Sequence, residues 1–234
     1  MNALQTWNDV IAQNIAAAPR TGYKGKSISF EAALPGGPSS IGSDGTPTRM
    51  PRAIIRTHFE QGQLRTTGIP TDFAVKGDGF FQMARPDGRI VFTRDGSFTL
   101  NRERTLVNKQ GLTVMGQNGP IQLIPEGGIL VAEEDGILRQ GEQEVGRLTL
   151  VTFPRPDLLI EATGGYMINP EKPQLGSPVI EPRFAQGALE SSNISAVQEM
   201  VDMISVNNAF QANQRVISSI DRVMERAVEI LGNT

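Results

Sequence analysis

The chain has 234 residues, a formal net charge of −3 and a hydrophobic fraction of 38%. That length accommodates one large or two small folded domains, and the slight negative charge offers no basic surplus for binding nucleic-acid phosphates. Cysteine is absent and His58 is the single histidine, so disulfides, thiolate catalysis and multi-histidine metal sites are excluded. No apolar run approaches the roughly 18 residues that a membrane-spanning helix needs.

The N-terminal segment predicts a short amphipathic helix over residues 2–17, because apolar side chains recur there every three or four residues. Pro19 and Gly22 follow and are typical of a helix end. Residues 35–51 are rich in proline, glycine and serine and predict a linker or an exposed loop.

The middle of the chain shows short alternating apolar runs between turn signals, which is typical of antiparallel β-structure rather than of β-α-β units. Predicted strands at residues 80–84 and 89–93 flank Pro86-Asp87-Gly88, a hairpin signature. Further short strands are predicted at residues 97–100, 105–108, 112–115, 121–124, 129–132, 137–139 and 148–153.

The C-terminal segment predicts a long helix from about residue 193 to 231, with Ser192 or Asn193 as its N-cap. Its apolar residues form a stripe wider than the seam of a two-stranded coiled coil, so the helix needs neighbours on more than one side. Two alternatives remain open: the stripe packs on the β-region of its own chain, or it packs against other chains. Asn213 lies inside the stripe, where it either sets the register of an assembly or is partly exposed.

The sequence offers only weak candidates for an active site. Asp78, Asp87 and Asp95 each precede a glycine, and turn chemistry explains them better than a calcium loop does. The acidic residues 133–135 fit a solvated turn better than the carboxylate pair of a glycosidase. His58 has no serine motif beside it. We therefore predict no catalytic, cofactor-binding or metal-binding residue.

Four separated segments, in the expected order, resemble the signatures of the bacterial flagellar axial proteins that form the rod and hook. Residues 8–25 resemble the N-terminal signature, residues 72–81 and 92–98 the internal signatures, and residues 186–193 the C-terminal one. The matching residues are Asn14, Gly22, Tyr23, Lys24, Gly77, Gly79, Phe80, Phe81, Asp95, Gly96, Phe98, Ser192 and Asn193.

The resemblance implies an α+β fold: an antiparallel β-rich middle domain, with N- and C-terminal helices that pack together as a coiled-coil-like helical region. The expected organisation is a helical assembly region formed by residues 1–34 and 185–234, a linker at 35–52 and a β-rich domain at 53–184. We expect inter-subunit packing at the apolar stripe and its neighbours, namely Val10, Ile11, Ile15, Met203, Val206, Phe210, Asn213, Ile217, Ile220 and Met224.

The function that the resemblance implies is that of a structural subunit of the flagellar basal-body rod, which transmits torque and encloses the export channel. Its expected partners are copies of itself, other rod and hook axial proteins, and the flagellar export apparatus. We expect no enzymatic activity, cofactor, nucleic acid, small-molecule substrate or membrane span. The expected location is the periplasmic rod, reached through the flagellar channel without a cleaved signal peptide.

The subtype is expected to be the proximal rod. A hook protein usually carries a larger outer domain, and residues 35–51 are short for the insertion of a distal-rod protein. The alternatives are a distal-rod or hook-type subunit and, from a different class, a β-rich module that binds the cell wall.

Overall fold

The computed structural model describes residues 2–32, 51–162, 164–170 and 176–232. The linker predicted at 35–52 lies outside the described residues except for its last two positions, which belong to a strand.

The chain carries an α-helix near each end, as the sequence predicted. Helix α1 spans Asn2–Ala17 and helix α2 spans Ala196–Gly232. The N-cap prediction is wrong: the backbone nitrogen of Gln198 donates to Ser195 Oγ at 3.4 Å, so Ser195 caps α2. Ser192 and Asn193 lie before the helix, where the Asn193 side chain bonds to other backbone segments.

The described residues form nineteen β-strands, most of them three to five residues long. In chain order they are β1 Lys26–Ala32, β2 Pro51–Thr57, β3 Leu64–Thr66, β4 Phe73–Val75, β5 Phe80–Ala84, β6 Ile90–Thr93, β7 Phe98–Leu100, β8 Leu106–Asn108, β9 Thr113–Gly116, β10 Gly119–Pro120, β11 Leu130–Ala132, β12 Ile137–Gln140, β13 Gln143–Arg147, β14 Leu150–Thr152, β15 Ile160–Ala162, β16 Tyr166–Ile168, β17 Ser177–Pro178, β18 Phe184–Gln186 and β19 Ala188–Glu190.

The chain divides into two compact units. The first contains α1, the β1–β2 hairpin and α2, and the second contains residues 17–25 and 58–193. The second unit is built around a sheet of order β15-β16-β6-β5-β9-β8-β7, to which β10, β14 and β17 attach. It also holds the three-stranded sheet β11-β12-β13 and the pairs β4–β18 and β3–β19.

Every strand pairing in these sheets is antiparallel, which confirms the predicted α+β fold with an antiparallel middle domain. Aromatic rings fill the core of the second unit. The ring of Phe81 meets that of Phe98 edge to face, with their centroids 5.1 Å apart, and stacks on Phe184 at 6.0 Å. A second cluster holds Phe92 against Phe153 at 4.8 Å.

The two terminal helices pack together in the first unit, as predicted. Val10 and Ile11 of α1 and Val206 of α2 are buried, and Asn8 Nδ2 donates to Asn207 Oδ1 at 3.2 Å. At about 1.5 Å per residue, α1 is about 24 Å long and α2 about 55 Å long. The shorter helix therefore covers less than half of the longer one. Among the residues that the structure describes, neither helix combines the length and apolar character that crossing a bilayer requires.

Candidate functional site

Segments from three of the four signatures meet at a buried charge cluster in the second unit. The Nζ of Lys24 donates to Glu190 Oε1 at 2.6 Å and to the carbonyl oxygen of Glu60 at 2.7 Å. The guanidinium Nη1 of Arg94 lies 3.3 Å from the other oxygen of Glu190. All three charged side chains are at most 3% exposed. A single carboxylate thus joins the N-terminal turn to an internal turn and to the C-terminal signature.

The electrostatics of this cluster follow from its burial. Desolvation lowers the pKa of Lys24 below its ordinary value, and the hydrogen bond and charge of Glu190 oppose that shift. Burial lowers the pKa of Arg94 in the same way, again against Glu190. Two buried cations thus depend on one carboxylate, and losing that carboxylate leaves both charges uncompensated.

The signature glycines allow backbone segments to approach closely. The nitrogen of Gly22 donates to the Glu190 carbonyl at 2.8 Å, and a Cβ at Gly22 would overlap the Arg94 backbone. A Cβ at Gly96 would overlap the Phe73 carbonyl. Beside these contacts, Thr21 Oγ1 donates to Asp95 Oδ1 at 2.7 Å. These positions require glycine because no side chain fits between the two backbones.

The remaining signature residues also form hydrogen bonds, lie in the core or adopt turn conformations. Asn193 Oδ1 accepts from the nitrogen of Gly25 at 2.8 Å, and its Nδ2 donates to the carbonyls of His58 and Glu60 at 2.8 and 3.1 Å. Tyr23, Phe80, Phe81 and Phe98 are buried, Gly77 and Gly79 adopt φ of 98° and 124°, and Ser192 is half-buried. The signatures therefore build the second unit and the turns around it.

Asn14 plays a comparable part in the first unit. Its side chain is 1% exposed, and its Nδ2 donates to the Lys26 carbonyl at 2.7 Å and to Glu199 Oε1 at 3.1 Å. Its Oδ1 accepts from the Lys26 nitrogen at 3.1 Å. One side chain thus connects α1, β1 and α2. Burial raises the pKa of Glu199, and the hydrogen bond from Asn14 opposes that rise.

The predicted packing residues divide into a covered and an uncovered group. Val10, Ile11 and Val206 are buried, while Ile15, Met203 and Phe210 are half-buried. Asn213, Ile217, Ile220 and Met224 continue the same helical stripe and are exposed. The exposed fraction is 42% for Ile217, 53% for Ile220 and 65% for Met224. The stripe therefore extends well past the residues that α1 accompanies.

A second apolar surface lies on α2, which the list of predicted packing residues did not include. Val197, Met200, Val201 and Ile204 recur at helical spacing, and each is more than half exposed. They face away from Val206, because the two positions from Ile204 to Val206 turn a helix by about 200°. The signal was present in the sequence, since these residues continue the C-terminal signature. We call these four residues together with the stripe Ile217–Met224 the uncovered surface of α2.

The weak candidates for chemistry have local explanations. Asp95 Oδ1 accepts from the nitrogen and the hydroxyl of Ser97, as turn chemistry predicts. The acidic residues 133–135 each form an ion pair with a nearby basic residue, with N–O distances of 2.8 Å. The Lys76 partner lowers the pKa of Glu134, which keeps that carboxyl ionised.

These observations define a class of protein before any relative is considered. A long helix that pairs with a short one and keeps two apolar surfaces in water is typical of a subunit whose neighbours cover those surfaces. The chain is thus an assembly subunit that carries a β-rich domain.

Comparison with known proteins identifies the family. The profile of the flagellar hook protein FlgE/F/G D1 domain matches residues 74–140, and that of the flagellar basal body rod FlgEFG protein C-terminal region matches residues 185–230. The flagellar basal-body rod protein FlgF of Mesorhizobium japonicum is 31% identical, with 99% of this chain and 94% of the relative aligned.

Two further relatives agree with this match over nearly their whole length. FlgF of Caulobacter vibrioides is 33% identical over 96% of this chain and 91% of the relative. The rod protein FlgG of Borreliella burgdorferi is 32% identical over 96% of this chain and 92% of the relative. The chain belongs to the flagellar basal-body rod protein family and is a structural subunit of the flagellum.

Proposed function

We propose that this protein is a proximal-rod subunit that assembles helically, through α1 and α2, with copies of itself and with other axial proteins. In the assembly the helices enclose the export channel, and the packed subunits transmit torque. The observation that carries the proposal is the uncovered surface of α2, which holds large apolar side chains that are 42–73% exposed. Each such side chain contributes about 1.5–3 kcal/mol when it is fully buried, so its cover by neighbouring chains favours assembly strongly.

The proximal subtype is supported by the lengths of the alignments with the relatives. The alignment with the M. japonicum FlgF spans 234 residues, whereas the alignment with the B. burgdorferi FlgG spans 250. Aligning this chain with the FlgG relative therefore requires additional residues that this chain lacks. The shortness of residues 35–51 points the same way.

The proposal includes a route and a location. The subunit passes unfolded through the flagellar export apparatus, keeps its N-terminus and joins the periplasmic part of the rod without catalysing a reaction. An export-deficient strain should retain the protein in the cytoplasm. N-terminal sequencing should find the same N-terminus on the protein from basal bodies as on the protein retained in the export-deficient strain, and a shorter N-terminus in basal bodies would contradict this route.

A substitution on α2 tests the assembly surface. Ile220→Asp places a charge on the uncovered surface, at a side chain that is 53% exposed, so the monomer should fold normally. In bacteria whose own gene carries the change, we expect no rod in electron micrographs of basal bodies and no swimming in soft agar. The cause is the large free energy needed to bury an unpaired carboxylate in an interface.

The matched control is Gln214→Asp, which adds the same charge to the same helix at an exposed position about 80° around the helix from Ile204 and about 120° from Ile220. This variant should assemble and swim. Normal rods in the Ile220→Asp strain, or failure of both variants alike, would contradict the proposed role of the surface.

A further inference from the structure

The second unit contains a basic pocket outside the two terminal helices. The pocket has a volume of about 400 Å³ and is lined by residues that include Arg20, Arg65 and Lys109, against the single carboxylate of Asp95. That carboxylate already accepts hydrogen bonds from Thr21 and Ser97. The pocket thus has a surplus of positive charge.

Arg20 is held in place at the edge of this pocket. Its Nη2 donates to the Gly164 carbonyl at 3.0 Å, and its guanidinium lies over the Tyr23 ring, 5.6 Å from the ring centroid. A side chain at Gly165 would overlap that guanidinium. Arg65 and Lys109 form no ion pair with any residue that the structure describes. The pocket therefore combines the guanidinium of Arg20, which is held in place, with two further cations that are not neutralised by an ion pair within the described residues.

The same unit carries the β12–β13 hairpin, whose tip is acidic. Its strands hold Arg139 and Arg147, but these are paired with Glu133 and Asp135 at 2.8 Å, and we call the hairpin with its acidic tip the acidic hairpin. Strands β12 and β13 meet at Gly141 and Glu142, and Glu142 and Glu144 are exposed without an ion pair among the described residues. The Gln140 side chain fixes the adjoining loop, because its Oε1 accepts from the Ile124 nitrogen at 2.7 Å and its Nε2 donates to the Gly128 carbonyl at 3.1 Å. Ile129, in that loop, is 75% exposed.

We propose that the acidic hairpin of one copy of this chain docks in the basic pocket of the next copy. The inference rests on the proposed function and adds a lateral contact between β-domains to the contact between helices. The pocket and the hairpin are different surfaces, so a head-to-tail contact between them leaves one of each free for the next copy and generates a helix where the rotation does not close. Charge complementarity then sets the orientation and register in which neighbours join.

Charge reversal tests the contact in both directions. Arg65→Glu with Lys109→Glu should lower the amount of subunit recovered in purified basal bodies about tenfold, because like charges now face each other. Glu142→Lys with Glu144→Lys should lower it similarly. The chain that carries all four changes should recover wild-type levels, because the complementary charges are restored.

Controls separate this contact from folding and from other acidic partners. Arg102→Glu changes an exposed basic residue outside the pocket and should leave recovery unchanged, and thermal unfolding of each purified variant should match the wild type. If pocket reversal lowers recovery, but hairpin reversal does not and the fourfold variant is not rescued, the pocket binds another acidic partner and the proposal is wrong. Wild-type recovery of both reversed variants would also overturn it. The separate Ile220→Asp test distinguishes this proposal from the proposed function. If Ile220→Asp abolishes the rod while the charge reversals have no effect, the proposed function stands and only the contact between β-domains is wrong.

Discussion

The buried carboxylate of Glu190 gives the sharpest test of how the signatures hold the β-unit together. Glu190→Gln keeps the shape of the side chain and removes its charge, so the buried ammonium of Lys24 and the guanidinium of Arg94 lose their counter-charge. Breaking a buried ion pair on one side costs about 3–5 kcal/mol. At about 2–4 °C per kcal/mol for a chain of this size, the melting temperature should fall by roughly 6–20 °C.

The assay is urea and thermal unfolding of the purified full-length chain, followed by far-ultraviolet circular dichroism. The control is Glu133→Gln, which removes an exposed carboxylate paired to Arg139 at 2.8 Å and should cost at most about 1 kcal/mol. If Glu190→Gln destabilises the chain no more than Glu133→Gln does, the charge cluster does not organise the β-unit.

The pH dependence of the Glu190→Gln variant provides a second readout. Burial lowers the pKa of Lys24 in the folded protein, and removing Glu190 removes the partner that opposes this shift. Between the lowered folded pKa and the ordinary value of 10.5, the unfolded chain binds more protons than the folded chain, so the free energy of unfolding rises with pH there. Raising the pH toward 10.5 should therefore recover more stability in this variant than in the wild type. If the difference in unfolding free energy between the variant and the wild type does not change with pH, the lowered pKa of Lys24 is not the cause of the lost stability.

Three further substitutions test individual contacts. Gly96→Ala should cost about 3 kcal/mol or more in urea unfolding, since its Cβ would overlap the Phe73 carbonyl, whereas a cost near zero would show that the backbones separate easily. Asn14→Ala removes two side-chain hydrogen bonds to the Lys26 backbone and should cost about 1–3 kcal/mol. Hydrogen exchange should then be faster in α1, and unchanged rates would refute the role assigned to Asn14. Tyr166→Phe removes the hydroxyl that accepts from Asn108 at 2.6 Å and should cost about 1–2 kcal/mol by urea unfolding, while no loss would show that water replaces it.

The sequence predicted best those elements whose signals lie within a few neighbouring residues. The hairpin of β5 and β6 matches the predicted strands closely, because an Asp-Gly turn and its flanking apolar residues lie within a dozen positions. The helices were predicted for the same reason, since their periodicity is local. The strand predicted at 121–124 is wrong. Ile121 and Leu123 are buried, as a strand would place them. Their backbone nitrogens donate to the carbonyls of Val114 and Arg104, which lie on two different segments, so residues 121–124 do not pair with a single neighbouring strand.

The pairings between strands that are far apart in the sequence could not be predicted from the residues of either strand. Strand β3 pairs with β19 and strand β4 pairs with β18, and each has only three residues, too few to show an alternation. Glu190 is the last residue of β19, and its contacts with Lys24 and Arg94 join segments that are far apart in the sequence. Lys24 was singled out by resemblance alone, because a charged residue in a sequence is normally expected at the surface.

The uncovered surface of α2 was predicted in part. The periodicity of α2 identified the stripe through Phe210 and Ile220, but it gave no indication of which residues α1 covers. The second surface, from Val197 to Ile204, lies outside the dominant stripe. Its exposure became evident only once the partner helix was in place.

The most direct test of the central claim is whether the uncovered surface of α2 becomes covered in the rod. The natural chain has no cysteine, so Ile220→Cys introduces a unique thiol for maleimide labelling. The account predicts rapid labelling of the purified monomer and strong protection of the same variant in intact basal bodies. Equal labelling in the monomer and in the assembled rod would contradict the claim that α2 builds the assembly.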